Sequence, residues 1–330
     1  MKTSKEGLFV ISLDFELFWG IRDKYSFSQY GPNVLGVWKV IPELLKLFSE
    51  YQISATFATV GAMLSADLNE LKNFVPDEKP SYSDPNLSPY NGYIDDSVNH
   101  SPDYFFGKKM IELIETENRH EIGSHTFSHY YCLEPGQKQS EFEADLDMAL
   151  SIAESNGIQL ETLVFPRHQI NREYLKILPK KGIKTYRETE SIWFHAAERG
   201  ADESIVKRAF RYLDYFVWMG SHHCQDLSEI KRENLYAIRA SRWLRPYKKS
   251  ESTFDFLKIR RIKKQMEYAA RKGKIFHLWF HPHDIGLHRE INFRMLTEIL
   301  NHYRKMNQKY GMQSVNMKET VERYKTKYGH

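Results

Sequence analysis

The sequence predicts an α/β fold built on a parallel sheet that is either open or closed into a barrel. Short apolar runs typical of strands alternate with segments of helical periodicity along most of the 330 residues, and repeated β–α units imply parallel strands. No low-complexity linker and no clear internal repeat divides the chain. We therefore expect one domain over residues 1–330, with a long loop inserted at about 64–104.

The predicted elements follow one another in regular alternation. Apolar and β-branched runs predict the strands, periodic apolar spacing predicts the helices, and Asn156-Gly157 supplies one helix with a C-terminal stop. Strands are expected at 7–14, 53–60, 120–124, 160–166, 182–187 and 275–281. Helices are expected at 37–50, 106–117, 139–155, 172–181, 259–274, 289–308 and 316–327.

Composition excludes several classes of protein. The chain is 41% hydrophobic and 27% charged, and no apolar run approaches the ~18–20 residues needed to span a bilayer. Asp14 and Glu16 interrupt the apolar N-terminal run, so we expect a first strand there rather than a signal peptide. Two cysteines, Cys132 and Cys224, do not suggest a disulfide framework. We therefore expect a cytoplasmic protein without a transmembrane segment, and nothing indicates a nucleic-acid module.

Basic residues concentrate late in the chain, although the net charge is only +4. The densest run is KIRRIKK at 258–264. The simpler interpretation is a solvated helix face. The alternative is attraction to an anionic partner, such as a phosphate-bearing carrier or an inner-leaflet surface.

Polar or charged residues follow four of the predicted strands. In parallel α/β folds the active site lies at the C-terminal ends of the strands, so these side chains are expected to meet. They are Asp14 and Glu16 at the end of the first strand, His125 and His129 after the third, Arg167 after the fourth, and His281 and His283 at the end of the last.

Two of these groups together predict a metal centre. His125 and His129, four residues apart on a helical turn or tight loop, face the same way and can hold a metal such as zinc. Asp14 and Glu16 lie two apart on an extended backbone, so one carboxylate can ligate the metal while the other acts as general base. Two imidazoles and one carboxylate leave a position open for a polarised water, which is the pattern of a catalytic site.

The late strand supplies candidates for the acid that protonates the leaving amine. His281 and His283 both lie in the segment Trp279-Phe-His-Pro-His-Asp284, and the choice between them stays open. His277, in the middle of the same strand, is better interpreted as a core histidine.

The ordered set D-x-E, H-[ST]-x-x-H, an arginine-containing loop and L-x-x-H resembles the polysaccharide deacetylase (NodB-homology) family of carbohydrate esterases. The resemblance covers about residues 7–310, and its most specific element is E-I-G followed by H-T-F-S-H at 121–129. It implies a distorted (β/α)7 barrel and a metal-dependent hydrolase that removes acetyl groups from sugars.

The resemblance also implies a role for each candidate residue. Asp14 would be the general base, held by Arg167, and His281 would be the acid. The divalent metal is expected to be zinc, with cobalt or nickel able to substitute. Its ligands would be Glu16, His125 and His129.

Three departures from the family pattern stand out. Phe15 separates Asp14 from a glutamate where adjacent aspartates are usual, which leaves open whether this variant still binds metal. Pro166 precedes Arg167, whereas Arg-x-Pro is the common order. The Asp-Trp segment that normally orients the acid histidine has no clear counterpart, and Trp193 and Asp214 are the candidates for it.

The expected reaction is deacetylation of an N-acetylated sugar in a nucleotide- or lipid-linked glycan precursor. Tyrosines of the long loop, Tyr82, Tyr90 and Tyr93, are candidates for stacking on that sugar, although a merely variable surface loop is the alternative. Two rival functions stay open: a C–N hydrolase of cyclic amides on the same fold, and a catalytically silent glycan-binding protein. The sequence specifies neither the sugar, its linkage and its carrier nor the oligomeric state.

Overall fold

The computed structural model describes residues 6–190, 192–195, 202 and 204–329. Strands are β1 Leu8–Phe15, β2 Ala55–Thr59, β3 Glu121–Ser124, β4 Thr162–Leu163, β5 Thr185–Glu188, β6 Gln225–Asp226, β7 Lys231–Arg232, β8 Leu235–Arg239, β9 Arg242–Trp243, β10 Lys274–Phe280 and β11 Gln313–Val315. Helices are α1 Phe27–Tyr51, α2 Leu68–Lys72, α3 Tyr93–Asp96, α4 Lys108–Glu115, α5 Gln139–Ser155, α6 Ile205–Asp214, α7 Asp255–Lys272, α8 Arg289–Tyr310 and α9 Met317–Tyr328.

A curled, mainly parallel sheet forms the centre of the fold. Seven strands run parallel in the order β10-β1-β2-β3-β4-β5-β8. The short strands β6 and β7 pair antiparallel with β10 and β8 at the two ends of this array. The amide of Gln225, on β6, donates to the Ala237 carbonyl and accepts from the Arg239 N–H, which links the two ends. The predicted distorted barrel of the polysaccharide deacetylase type is confirmed.

The strand register brings the predicted site residues to one edge of the sheet. Leu13 lies opposite Phe280 of β10, and Phe15 lies opposite Thr59 of β2. Thr59 in turn lies opposite Ser124 of β3. Because parallel strands end at the same edge, the residues that follow them leave the sheet side by side; they are Glu16, His125 and His281.

Helix α1 begins ten residues before the predicted start. Ser26 and Gln29 form a capping box that starts the helix at Phe27. Gly36 is unfavourable in a helix by propensity, but a Cβ there would lie 2.5 Å from the Gly286 carbonyl oxygen. The glycine therefore lets α1 pack against the turn Pro282–Ile285, which follows His281.

Several local predictions differ from the structure. Residues 172–181 form two 3₁₀ turns, Tyr174–Lys176 and Leu178–Lys181, rather than one helix, because Pro179 lacks an N–H. The long loop contains α2 and α3, and Tyr82 is buried against Tyr131 rather than exposed for stacking. Within the residues described here, no helix is both long and apolar enough to cross a lipid bilayer.

Candidate active site

Glu16, His125 and His129 bring three metal-competent ligand atoms together. Glu16 Oε2 lies 3.0 Å from His129 Nε2 and 3.3 Å from His125 Nε2, and all three side chains are buried. Burial lowers the pKa of His129 to about 3, which keeps its imidazole neutral. Neutral imidazole is the form that ligates a metal, so the cluster has the donor set that zinc prefers.

Two further observations fit a metal ion at this cluster. His125 Nδ1 donates to the Val164 carbonyl at 2.8 Å, so the lone pair of the ring is on Nε2. That buried Nε2 has no hydrogen-bond partner among the residues described. In addition, a Cβ at Gly20 would lie 2.1–2.3 Å from the Glu16 carboxyl group, so only glycine leaves room for that carboxylate.

A tight loop, not a helix, places the two histidines. Thr126 and His129 have positive φ of 63° and 60°, values that non-glycine residues adopt only where surrounding structure enforces them. The buried Asp145 carboxylate, on α5, accepts from the Phe127 N–H at 2.8 Å and from the N–H and hydroxyl of Ser128. Helix α5 therefore holds the loop in the strained shape that turns both imidazoles toward Glu16.

Asp14 is held by Arg187, and not by Arg167 as predicted. The Arg187 guanidinium donates to both carboxylate oxygens of Asp14, at 2.6 and 2.7 Å. It also donates to Ser12 Oγ at 3.0 Å and to His168 Nε2 at 3.2 Å. Burial alone would raise the pKa of Asp14, but the Arg187 guanidinium holds it well below its usual range. Asp14 is therefore ionised at neutral pH.

Arg167 points away from Asp14. Its guanidinium donates to Asp23 Oδ1 at 2.5 Å and lies 4.4 Å from the centre of the Tyr131 ring. The backbone explains this direction, because Arg167 and His168 have positive φ of 52° and 54° in the turn after Pro166. The expected contact between Arg167 and Asp14 is therefore wrong.

His281 faces both carboxylates of the first strand. Its Nε2 lies 3.8 Å from Asp14 Oδ2 and 4.0 Å from Glu16 Oε1, while its Nδ1 donates to Asp284 Oδ2 at 2.8 Å. Burial alone would lower the pKa of His281, but the carboxylates of Asp284, Glu16 and Asp14 outweigh it and raise the pKa to about 9. His281 therefore carries a proton at neutral pH.

Asp284, rather than Trp193 or Asp214, orients His281. Asp214 is buried elsewhere, where it accepts from His223 and forms ion pairs with Arg242 and Arg261. With His195 and His223 it forms a second group of residues that could hold a metal ion. The guanidinium ions of Arg242 and Arg261 already balance the charge of its carboxylate. Trp193 is largely exposed. The candidates suggested for the missing segment are therefore wrong.

The other two late histidines occupy different surroundings. His283 Nε2 lies 3.8 Å from Glu16 Oε1, and burial lowers the pKa of its imidazole. At neutral pH its imidazole therefore holds a proton less readily than that of His281, which leaves His281 as the better placed acid. His277 is buried in β10 and shares a hydrogen bond of 2.8 Å with Ser12 Oγ, as expected for a core histidine.

Four residues of the site escaped the sequence reasoning. Arg187 ends the predicted strand 182–187 and could have been found by the same strand-end rule that selected Arg167. Asp284 directly follows His283 in the segment already singled out. Gly20 and Asp145 carry no local signal, because their roles depend on what packs against them.

Comparison with known proteins relates the chain to a family and to a fold. Residues 31–186 match the family model for polysaccharide deacetylase, a range that includes His125, His129 and Arg167. No curated protein shows significant sequence similarity to the chain.

Solved structures extend the likeness to nearly the whole chain. A candidate polysaccharide deacetylase from Mycobacterium smegmatis superposes with a TM-score of 0.60 at 14% identity, over 99% of this chain and 93% of that one. A second, from Pseudomonas aeruginosa PAO1, has a TM-score of 0.57 at 10% identity, over 98% and 92%. Puue allantoinase has a TM-score of 0.53 at 11% identity, over 100% and 93%. Together these findings confirm that the chain resembles the polysaccharide deacetylase family, in sequence over residues 31–186 and in fold over nearly its whole length.

Proposed function

We propose that the chain is a metal-dependent hydrolase that removes the acetyl group from an N-acetylated sugar. The observation that carries the proposal is the convergence of three groups at one sheet edge. They are the ligand set Glu16, His125 and His129, the Asp14–Arg187 ion pair, and the His281–Asp284 pair. A centre that activates the nucleophile, a base and an acid are what amide hydrolysis requires.

Each side chain has a defined task in this proposal. Glu16, His125 and His129 would hold a divalent metal, zinc in the first place and cobalt or nickel as substitutes, which would acidify a water and polarise the acetyl carbonyl. Asp14 accepts a proton as the water oxygen bonds to the acetyl carbon. His281 donates its proton to the sugar nitrogen as the C–N bond breaks, which releases acetate and the free amine.

The low pKa of Asp14 makes it a weak base, so the proposed mechanism needs a metal to acidify the attacking water. A carboxylate whose pKa lies well below its usual range is a weak base, because general-base catalysis is most effective when the pKa is near the working pH. Asp14 can therefore accept a proton only from a strongly acidified water. Arg187 orients Asp14 and keeps it ionised, the task that the sequence had suggested for Arg167.

The proposed substrate is a glycan precursor made in the cytoplasm. Both cysteines, Cys132 and Cys224, are free thiols, which suits a reducing compartment. An acetylated sugar on a nucleotide or lipid carrier is the form in which such precursors exist.

Two measurements test the proposal. Elemental analysis of protein purified without chelator should find about one metal per chain, absent from His125→Ala and retained in the matched control His120→Ala, whose imidazole is half-buried before β3. Acetate release is then followed with N-acetylated sugars. A wild-type protein that takes up no metal would refute the metal-dependent mechanism.

The two rival functions give different results in the same assays. A silent glycan-binding protein would bind sugars in calorimetry without acetate release and without dependence on metal. A C–N hydrolase of cyclic amides is favoured by the likeness in fold to an allantoinase; it would open cyclic ureides and leave acetylated sugars intact.

A further inference from the structure

A cavity of about 380 Å³ opens beside the proposed catalytic groups. Trp279 lies between the cavity and the catalytic groups. Its ring lines the cavity and is 4.6 Å from the Arg187 guanidinium and 5.6 Å from the His281 ring. His168, which accepts a hydrogen bond from Arg187, also lines the cavity. A molecule in this cavity therefore lies next to the atoms to which we assign the chemistry.

The lining of the cavity is strongly basic. Among the residues that the structure describes, four guanidinium groups line it, from Arg167, Arg208, Arg211 and Arg245, together with one carboxylate, that of Glu190. All four arginines have partners of their own: Arg167 and Arg245 pair with Asp23 and Glu251, which lie outside the lining, and Arg208 and Arg211 also take part in further interactions. Each guanidinium carries five donors, so a pair that uses two of them leaves others for a ligand.

Helix α6 contributes one wall of this cavity with a regular face. Arg208, Arg211, Tyr212 and Tyr215 all line the cavity, and their spacing of three and four residues places them on one side of the helix. The wall therefore offers guanidinium donors beside aromatic rings, which suits an anionic group attached to a sugar.

We propose that this arginine pocket binds a phosphate or diphosphate ester carried by the acetylated sugar. The proposal rests on the proposed function, since it assigns the charged part of that substrate. Several convergent guanidinium groups match the multiple oxygens of a phosphate ester, whereas one carboxylate needs a single bidentate arginine. The ester would come from a nucleoside diphosphate sugar or from a lipid diphosphate sugar.

Calorimetry with N-acetylglucosamine 1-phosphate and N-acetylglucosamine tests the pocket on the metal-loaded protein. We expect the phosphate to improve affinity at least ~10-fold, the scale of one charge-assisted hydrogen bond, and Arg211→Gln to remove that preference. Arg271→Gln, the same change on an exposed residue of α7, should keep it. The preference for the phosphate should also persist in His125→Ala, which lacks a proposed metal ligand. This variant distinguishes phosphate bound by the arginines from phosphate bound directly to a metal.

Equal affinities for the two sugars, or a preference unchanged in Arg211→Gln, would overturn the pocket. Acetate release is not measured in this experiment, so loss of the deacetylase proposal and loss of the pocket are distinguishable. Titration with a nucleoside diphosphate sugar and with a polyprenyl diphosphate sugar in micelles then identifies the carrier. Binding of either one supports the pocket, and binding of neither refutes it.

A second inference also comes from α6, where the usual distribution of apolar and charged side chains is reversed. Lys207 and Asp214, seven residues apart, are 4% and 0% exposed, whereas Ile205 and Val206 are 83% and 58% exposed. Leu213 is also exposed on this helix. A helix on a globular protein normally turns its apolar side inward, whereas this one leaves apolar side chains exposed, as interaction surfaces do.

Cations border this apolar face. Trp218, 61% exposed, lines a groove together with Val217, and the other side of the groove is formed by Arg260 and Lys264 of α7. Exposed apolar side chains rimmed by basic ones are complementary to an anionic bilayer surface, where tryptophan sits at the headgroup level. We infer that this face, formed by Ile205, Val206, Leu213, Val217 and Trp218, rests on an anionic phospholipid surface.

Cosedimentation with vesicles tests the membrane face. We expect the protein to sediment with phosphatidylcholine vesicles that contain phosphatidylglycerol, less with phosphatidylcholine alone, and less in high salt. The double variant Val206→Ser/Leu213→Ser should lose binding, and Val98→Ser, which changes a residue 70% exposed in the long loop, should not. No binding by the wild type, or equal binding by the double variant, would refute the inference. A dimer in size-exclusion chromatography that the double variant dissociates would also refute it, because a second copy would then cover the face.

Discussion

Asp14 and Glu16 lie two positions apart but contact different partners, so substitutions can separate their roles. Asp14→Asn should keep the metal and lower turnover at least ~100-fold, the usual scale for a general base. Glu16→Ala should lose metal affinity, with residual activity at high metal concentration. Metal content and acetate release measure the two effects. If Asp14→Asn releases the metal and Glu16→Ala keeps it, the assigned roles are reversed.

The Asp14→Asn experiment needs a control for folding. The Arg187 guanidinium is fully buried against Asp14, and removal of one partner of a buried ion pair costs about 3–5 kcal/mol. The double variant Asp14→Asn/Arg187→Gln removes both charges and should recover part of that stability. Urea denaturation of both variants shows whether lost turnover reflects lost chemistry or lost structure.

Gly20 tests the placement of Glu16 without touching a proposed ligand. In Gly20→Ala the new Cβ would displace the flexible Glu16 carboxylate, with which it would overlap. We expect metal affinity to fall at least ~10-fold, as for other changes that disturb a ligand's position. The unfolding free energy of the metal-free protein should change little, because only a side-chain end must move. An unchanged metal affinity would show that metal binding does not depend on the Glu16 carboxylate lying beside Gly20.

Asp284 should set the alkaline limit of activity. The pKa of His281 is raised to about 9 against the effect of burial, so its donated proton is present below that pH and lost as the pH rises through it. Asp284→Asn removes a major raising contribution, and the alkaline limb of kcat/KM should move to lower pH. A metal bound at Glu16 would weaken the negative field around His281 in the wild type and in Asp284→Asn alike. The test is therefore the difference in the pH of the alkaline limb between the two proteins. An unmoved limb would contradict the assignment of His281 as the acid.

At the scale of elements, helix α5 and the His125–His129 loop form one unit. Asp145→Ala would leave two buried N–H groups and the Ser128 hydroxyl without their acceptor. We expect the unfolding free energy to fall by about 3 kcal/mol or more, since each of these three buried donors costs about 1–3 kcal/mol when unsatisfied, and the metal affinity to fall with it. Asp147→Ala, two residues on, breaks a half-exposed ion pair with Lys181 and should cost under about 1 kcal/mol. Equal losses in both would refute a special role for Asp145. Urea denaturation measures both.

At the scale of the molecule, the ligand set joins segments that are more than a hundred residues apart in sequence. A metal that binds only the folded chain should therefore stabilise the whole barrel. Zinc at 100 times its Kd would add about 2.7 kcal/mol, which corresponds to roughly 4 °C in Tm for a domain of this size. Thermal denaturation with and without zinc measures this shift, and His125→Ala should show none. A similar shift in His125→Ala would mean that zinc binds elsewhere.

The sequence by itself determined most of the strand and helix pattern and the parallel α/β class, because apolar periodicity and strand-end chemistry are local. The barrel was implied by the resemblance to the polysaccharide deacetylase family. It also singled out His125 and His129, since their spacing is readable directly. Only the tertiary structure decided that Arg187, 173 positions from Asp14, is its partner, because that contact depends on strand order and on the left-handed turn at Arg167. The space at Gly20 and the outward apolar face of α6 likewise depend on what packs beside them. Long-range packing and backbone strain leave no periodic signal, and they control how the side chains at this sheet edge meet.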